Sequence, residues 1–324
     1  MKEIKTIGVL TSGGDAPGMN AAIRAVVRVG LHKGLRVVGL QHGYSGLIYG
    51  DFIEMRPFSV SNIIQRGGTM LKTDRSKEFR TPEGRKRAAE QMARIGLDAL
   101  VLIGGDGTFT GGTVLSEEHG IPVVGIPATI DNDLYGTDYT IGYDTAVNTA
   151  IYNIDKIRDT ADALERTFYI EVMGRATGFI ALDVGLSCGA EYISIPETET
   201  KLEVLLELFA RQRATKRSNI IIVAEGENEG SAIELAQRVK EANGMDYRVT
   251  ILGHIQRGGS PTGRDRILAS RLGADAVQAL VEGEYGVMVG ELGGKIHRTP
   301  ISETWGKTKP INPELVALAE LLAL

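Results

Sequence analysis

Two aspartates stand two residues apart in Ile126-Pro127-Ala128-Thr129-Ile130-Asp131-Asn132-Asp133, directly after the apolar run IPVVG. In an extended segment residues i and i+2 face the same side, so Asp131 and Asp133 are expected to point together. Two carboxylates so placed repel unless a cation or an arginine offsets them, which suits a metal site or proton transfer. Asn-Asp turn chemistry is the alternative for the same residues. Two further loops, TSGGDAPG and IGGDGT, each contain Gly-Gly-Asp. Glycine lets backbone N–H groups approach a phosphate, and the N-terminus of a following helix favours the anion. Asp106 in the second loop is suited to hold Mg²⁺ across two phosphates, because that hard cation prefers carboxylate oxygen and water. The same Asp-Gly pair also suits an Asx-stabilised turn. Thr108 would add a hydroxyl to a phosphate oxygen.

Phosphoryl transfer to an alcohol needs a carboxylate to accept the hydroxyl proton, electropositive groups on the moving phosphoryl, and Mg²⁺ across the nucleotide phosphates. Asp131 is a candidate for the first, Arg75 or Arg175 for the second and Asp106 for the third. Arg175 in MGR, Arg248 before VTILG, and His254 and Arg257 in GHIQRGG flank strand ends, where guanidinium groups suit a sugar phosphate. The common phosphate fingerprints are missing. No Gly-x-Gly-x-x-Gly follows the first strand, so a dinucleotide-binding domain is not indicated. Gly306-Lys307-Thr308 imitates the end of a P-loop, but Ile301 stands where its first glycine belongs.

The elements that must position these residues alternate along the chain. IKTIGVL, RVVGL, DALVLIG, IPVVGIP, FYIEVMG, EYISIP, NIIIVAEG, VTILG and GVMVGEL are apolar on both faces, as strands buried between helix layers are. Between them lie helical patterns such as MNAAIRAVVRVGLHKG, TPEGRKRAAEQMARIG, YDTAVNTAIYNIDKIRDTA and GRDRILASRLGADAVQALVEG. Pro82 behind Thr81 marks one helix start, and Gly34, Gly96 and Gly283 mark ends. The alternation predicts an α/β chain of two domains, each a mainly parallel sheet with helices on both faces in a Rossmann-like three-layer arrangement. Ligands of such sheets sit at the carboxyl ends of the strands, where the loops above fall.

Composition bounds the reading further. A chain of 324 residues, 43% hydrophobic and 24% charged, has room for two buried cores. A net charge of −5 gives no general attraction for nucleic acid. The one cysteine, Cys188, forms no intrachain disulfide and reads as a packed core thiol in a reducing compartment. No apolar run approaches the ~20 residues of a membrane span, and the N-terminal stretch MKEIKTIGVLTSGGD has too few consecutive apolar residues for a signal segment. The expected location is the cytoplasm.

Taken in order, TSGGDAPGMNAAIR, IGGDGT, TIDND, GTDYTIGYDTA, DKIRDTA, EVMGR and LGHIQRGGSPTGRDRILASR resemble the motifs of the bacterial ATP-dependent 6-phosphofructokinases, from the first strand to VMVGE. The resemblance implies transfer of the γ-phosphoryl of MgATP to the 1-hydroxyl of fructose 6-phosphate in glycolysis, by a homotetramer under ADP and phosphoenolpyruvate control. Carried over, Gly14, Arg75, Ser76, Gly105, Asp106, Gly107, Thr108 and Gly111 would bind ATP, with Asp106 on Mg²⁺. Asp131 would be the general base and Asp133 its partner, with Arg75, Thr129 and Arg175 completing the catalytic group. Thr129, Asp131, Met173, Gly174, Arg175, Glu225, His254 and Arg257 would hold the sugar phosphate, and Arg166 and Arg248 would reach in from a neighbouring subunit. Arg24, Arg28, Arg158, Glu191 and Lys216 match the effector ligands in type. The resemblance further implies an ATP-binding domain over 1–141 with 255–306, a sugar-phosphate domain over 142–254 with 307–324, and an active site in the cleft between them.

Pyrophosphate-dependent relatives typically carry Asp after GGD and Lys before TIDND. Here those positions are Gly107 and Ala128, which leave room for ATP, although Gly is usual at the second. The effector region departs more: Pro57-Phe58-Ser59-Val60-Ser61-Asn62 replaces Arg-x-Ser-Val-x-Asp, and Ala214 stands where Lys is common. GGDGT also occurs in NAD and lipid kinases, but TIDND, MGR and GHIQRGG argue against them. A non-catalytic sensor of nucleotide and sugar phosphate is the competing reading of a different class, against which Asp131, Asp106 and Arg75 are all retained.

Overall fold

A computed structural model describes residues 3–198, 202–212, 218–228 and 230–322. In chain order, β1 (Thr6–Thr11), α1 (Met19–His32), β2 (Arg36–Leu40), α2 (Gly43–Tyr49) and β3 (Phe52–Glu54) precede a long irregular stretch. Then come α3 (Pro82–Ile95), β4 (Ala99–Gly104), α4 (Asp106–His119), β5 (Val123–Pro127), α5 (Tyr143–Ala163), β6 (Thr167–Val172), α6 (Phe179–Cys188) and β7 (Tyr192–Ser194). They are followed by α7 (Leu202–Gln212), β8 (Asn219–Ala224), α8 (Ala232–Asn243), β9 (Tyr247–Ile251), α9 (Gly263–Glu282), β10 (Val287–Leu292), β11 (Lys295–Pro300), α10 (Ile301–Gly306) and α11 (Pro313–Leu322). The chain forms two compact units: Met1–Ile130, Leu134–Thr145 and Arg257–Lys309 in the first, and Asp131–Asp133, Ala146–Gln256 and Pro310–Leu324 in the second.

Among the described residues, the first unit holds a seven-stranded sheet ordered β11-β10-β5-β4-β1-β2-β3. Its five inner strands are parallel, while β3 and β11 run antiparallel at the edges. Every residue of β1, β4 and β5 is buried, which explains why their sequences are apolar on both faces. The two antiparallel edges escape that pattern: FIE and KIHRTP are partly exposed and carry charge. Leu10, Leu40, Leu102, Phe109 and Met288 meet in one core, each such side chain contributing about 1.5–3 kcal/mol on burial. Thr81 caps α3 by accepting from Gly84 N at 3.1 Å, with Pro82 at the first helical position and Gly96 left-handed at its end. The P-loop imitation falls away, because Gly306 closes α10 and Lys307 pairs with Glu303 at 2.6 Å, whereas a P-loop opens a helix.

The second unit holds a parallel sheet ordered β7-β8-β6-β9 among the described residues. Tyr169, Phe209, Ile221, Leu235 and Val239 form its core. Cys188 ends α6 and is half-buried rather than packed in the core. Burial still pushes its thiol up to about 11, so it stays protonated and unreactive near neutral pH. No helix among the described residues is long and apolar enough to cross a membrane.

Candidate active site

The order of the first sheet reverses between β1 and β4, which pair in parallel, so the loops that follow them lie side by side at the strand ends. That is where open parallel sheets bind ligands. Ser12 N donates to Ile103 O at 3.1 Å, and Thr108 Oγ1 donates to Ser12 O at 3.0 Å, tying the two Gly-Gly-Asp loops together. A Cβ at Gly104 would lie 2.3 Å from Thr108 Oγ1, so this close approach requires glycine. Thr108 is only 3% exposed and spends its hydroxyl proton on that clamp. The hydroxyl expected to meet a phosphate oxygen is therefore turned to the neighbouring loop. Gly105, extended, precedes α4, whose first residues are Asp106 and Gly107. The first N–H groups of a helix have no intrahelical acceptor and sit at the positive end of its dipole. A Cβ at Gly107 would touch nothing within 4 Å, so the surface above it is open.

Arg75 and Ser76 reach this loop pair from the irregular stretch. Gly13 N donates to Asp74 O at 3.3 Å and Thr73 Oγ1 to Gly13 O at 2.8 Å, which seats the segment beside the first loop with Arg75 exposed. Ser76 Oγ accepts from Phe79 N at 3.3 Å. The Phe79 ring stacks on Tyr44 with centroids 3.9 Å apart, and the Tyr44 hydroxyl donates to Thr108 O at 2.6 Å. Gly111 backs onto these rings; its Cβ would come within 3.1 Å of Tyr44 and 3.2 Å of Phe79. Burial pushes the Tyr44 phenol far above its ordinary value, so it acts only as a neutral donor. Arg257 Nη1 donates to Asp15 O at 3.3 Å and lies 2.7 Å from where a Gly14 Cβ would be.

The aspartate pair does not continue β5 as an extended strand. The chain bends at Ile130–Asp131, and Asn132 is left-handed with φ 56°. The i, i+2 argument therefore fails locally. Asn tolerates this conformation better than most residues, and the loop bears its modest cost. Upstream the loop is well anchored: Ala128 N donates to Gly104 O at 2.9 Å, and Thr140 Oγ1 donates to Thr129 O at 2.6 Å. Asp131 is 7% exposed, and Asp133 lies 3.7 Å from the Arg175 guanidinium.

In the second sheet β6 lies between β8 and β9, so the loops after β6 and β8 adjoin. Met173 N donates to Oε1 of the fully buried Gln256 at 2.9 Å. Gly174 takes φ 152° and Arg175 φ 59°, a left-handed residue that its N–H bond to Glu225 Oε1 at 2.7 Å helps to hold. Gly226 permits the turn, since a Cβ there would lie 2.0 Å from Arg175 O. His254 lies in the 3-10 turn Gly253–Arg257 and is exposed, as are Arg166 and Arg248. Of the remaining candidates, Arg24 and Arg28 sit on α1, and Arg158 approaches the buried Glu191 at 3.9 Å while donating to Gly189 O at 3.1 Å. Lys216, with Arg213 and Ala214, lies outside the described residues. Sequence reasoning missed Tyr44, Asp74, Gly226 and Gln256, which act through shape and backbone bonds rather than through a motif of charged residues.

Among the described residues no group of three or more His, Cys, Asp or Glu is placed to hold a metal alone. Mg²⁺ in a nucleotide site needs no such cage, since one or two carboxylates plus substrate phosphates suffice. Asp106, half-buried in the first turn of α4, fits that donor set.

The family profile described as Phosphofructokinase matches residues 6–280. The chain is 58% identical to the ATP-dependent 6-phosphofructokinase 1 of Thermus thermophilus, over 99% of this chain and all of that one. It is 56% identical to the ATP-dependent 6-phosphofructokinase of Cytophaga hutchinsonii, over 98% of each. Its fold matches phosphofructokinase from Saccharomyces cerevisiae with TM-score 0.89 and 38% identity, over 98% of this chain and 46% of that longer one. A pyrophosphate-dependent phosphofructokinase from Marinobacter aquaeolei, 23% identical over 96% of this chain and 86% of that one, shares the fold with TM-score 0.84. With adjoining phosphate-type loops in one unit, an acid–arginine pair in the other and near-full-length identity above half, the chain belongs to the phosphofructokinase family.

Proposed function

We infer that this chain transfers the γ-phosphoryl of ATP to the 1-hydroxyl of fructose 6-phosphate, giving fructose 1,6-bisphosphate and ADP. The observation that carries the reading is the 58% end-to-end identity with an ATP-dependent 6-phosphofructokinase. Gly14, Gly105 and Gly107 bring backbone N–H groups to the ATP phosphates at the start of α4, and Thr108 sets the spacing of the two loops. Asp106 would hold Mg²⁺, which when bound would neutralise charge on the nucleotide phosphates. Gly107 has no side chain and Ala128 adds only an uncharged methyl, which favours ATP over pyrophosphate.

Asp131 accepts the proton of the attacking hydroxyl, so that the oxygen becomes nucleophilic as the phosphoryl departs. Arg75 meets the charge that develops on the transferring group, with Ser76 at the nucleotide and Gly111 shaping the wall beside it. Thr129, Met173, Gly174, Arg175, Glu225, His254 and Arg257 hold the sugar phosphate, Arg175 also restraining Asp133. The exposure of Arg166 and Arg248 suits their reaching a neighbouring subunit of a homotetramer. Arg24, Arg28, Arg158 and Glu191, together with Lys216, serve an effector of the ADP or phosphoenolpyruvate kind.

The test measures ADP release with Mg-ATP and fructose 6-phosphate, with pyrophosphate as the alternative donor and Asp131→Asn as control. Turnover with ATP, lost by about 10²–10⁴ in the variant, is the expected result. Silence of folded protein with every donor would overturn the kinase reading in favour of a sensor.

A further inference from the structure

We infer that Asp265 is a positioning residue for the loop carrying Thr129 and Asp131, acting through its carboxylate bonds to Gly142 and Thr145. Its catalytic consequence rests on the kinase reading above. Asp265 is the third residue of α9 and is 1% exposed. Thr262 precedes that helix and its hydroxyl accepts from Asp265 N at 3.2 Å, so Thr-x-x-Asp reads as an ordinary helix start. In a capping box the acid would return to the N–H of the cap residue. Here it does not.

Asp265 Oδ1 accepts from Gly142 N at 2.9 Å, and Oδ2 accepts from Thr145 N at 2.9 Å and from the Thr145 hydroxyl. Thr262 N in turn donates to Thr145 Oγ1 at 3.0 Å, and the Thr262 hydroxyl donates to Asp144 Oδ2 at 2.6 Å. The starts of α5 and α9 thus cap each other. Gly142 follows a short anchored segment. Ile141 bridges Ala128 in parallel and donates to Pro127 O at 3.0 Å, and the Thr140 hydroxyl donates to Thr129 O at 2.6 Å. The carboxylate is therefore tied through Gly142, Ile141 and Thr140 to the carbonyl of Thr129, two residues before Asp131. The same residue also packs behind Gly18, at the end of the first phosphate loop: a Cβ there would come 2.6 Å from Ile141 Cγ2 and 3.6 Å from Asp265 Cβ. A carboxylate buried this fully carries a desolvation cost that a solvent-exposed helix cap avoids. Its placement behind both loops gives that cost a function.

The test compares Asp265→Asn, Thr145→Val and Thr145→Ser by steady-state kinetics with Mg-ATP and fructose 6-phosphate, and by amide hydrogen exchange without substrates. Asn keeps the size but offers one acceptor oxygen, so the loop relaxes. We expect kcat to fall about 100-fold, as for a displacement near 1 Å, with KM for ATP within about threefold of wild type. Exchange across residues 128–142 should quicken about tenfold or more, while β8 and α8 stay unchanged. Thr145→Val should be intermediate, and Thr145→Ser, which keeps the hydroxyl, should behave as wild type. Unchanged kcat and unchanged exchange in folded Asp265→Asn, or a Ser variant as impaired as the Val variant, would overturn the inference. Should Asp265→Asn not fold, the Val and Ser pair decides alone. The exchange readout needs no turnover, so wild-type inactivity would sink the kinase reading while positioning is still judged; active wild type with unmoved exchange and kcat would sink positioning alone.

Discussion

Arg175 Nη1 lies 3.7 Å from Asp133 Oδ2, and the arginine that makes this contact is itself held left-handed by its N–H bond to Glu225. The guanidinium side is 59% exposed, so the pair contributes little to folding, about 0–1 kcal/mol. Its worth lies in orientation and charge. Arg175→Ala is expected to lower kcat/KM for fructose 6-phosphate by about 10²–10³, the range for removing one preorganised donor, while the thermal midpoint moves by only a degree or two. Loss of stability without loss of activity would reverse the assignment.

Gly226 tests the same loop without touching a charged group. A Cβ there would overlap the Arg175 carbonyl at 2.0 Å, a backbone atom that cannot swing aside. Gly226→Ala should cost about 1–3 kcal/mol as overpacking and raise KM for the sugar phosphate while leaving KM for ATP unchanged. Isothermal binding of each substrate would show whether the two are affected separately; equal weakening of both would count against a local displacement.

What the sequence disclosed and what it withheld follow physical lines. The buried parallel strands were legible because a strand covered on both faces must be apolar throughout, as TIGVLT and ALVLIG are. The antiparallel edges β3 and β11 were not, because edge strands carry no such demand. Thr81, Pro82 and Gly96 announced the ends of α3 through their own backbone preferences. The aspartate pair was legible as a pair, but its geometry was not: an alternation rule assumes extended backbone, and Asn132 is left-handed. Thr108 looked like a phosphate ligand because nothing in the chain reveals that Ser12 O lies 3.0 Å from its hydroxyl.

Tyr44 provides a third test, of the wall beside the loop pair. Its ring is buried against Phe79 and its hydroxyl donates to Thr108 O at 2.6 Å. Tyr44→Phe keeps the stack and deletes the donor, so it should cost about 1 kcal/mol in urea unfolding. If the bond also fixes the start of α4, KM for ATP rises and KM for fructose 6-phosphate does not. A variant with unchanged stability and unchanged nucleotide affinity would show that the hydroxyl is idle.

The acid limb of stability should report on Glu118. Arg85 donates to both of its carboxylate oxygens at 2.6 Å, and also to Phe79 O at 3.1 Å and Arg80 O at 2.8 Å, so this ion pair steadies the turn that presents Phe79 to Tyr44. The Arg85 hydrogen bonds hold the Glu118 carboxyl below its ordinary value of 4.5. The native state then binds fewer protons than the unfolded chain across that window, and stability rises with pH through it. The contribution is fully present above the ordinary carboxylate value and disappears as pH falls through the lowered native one. Glu118→Gln removes it at every pH. Urea midpoints of wild type and variant should therefore differ by a constant amount above about pH 5 and draw together as pH falls further. A gap of the same size at pH 3 and pH 7 would mean that the carboxyl is not titrating against Arg85, and that the turn is held by its backbone bonds alone.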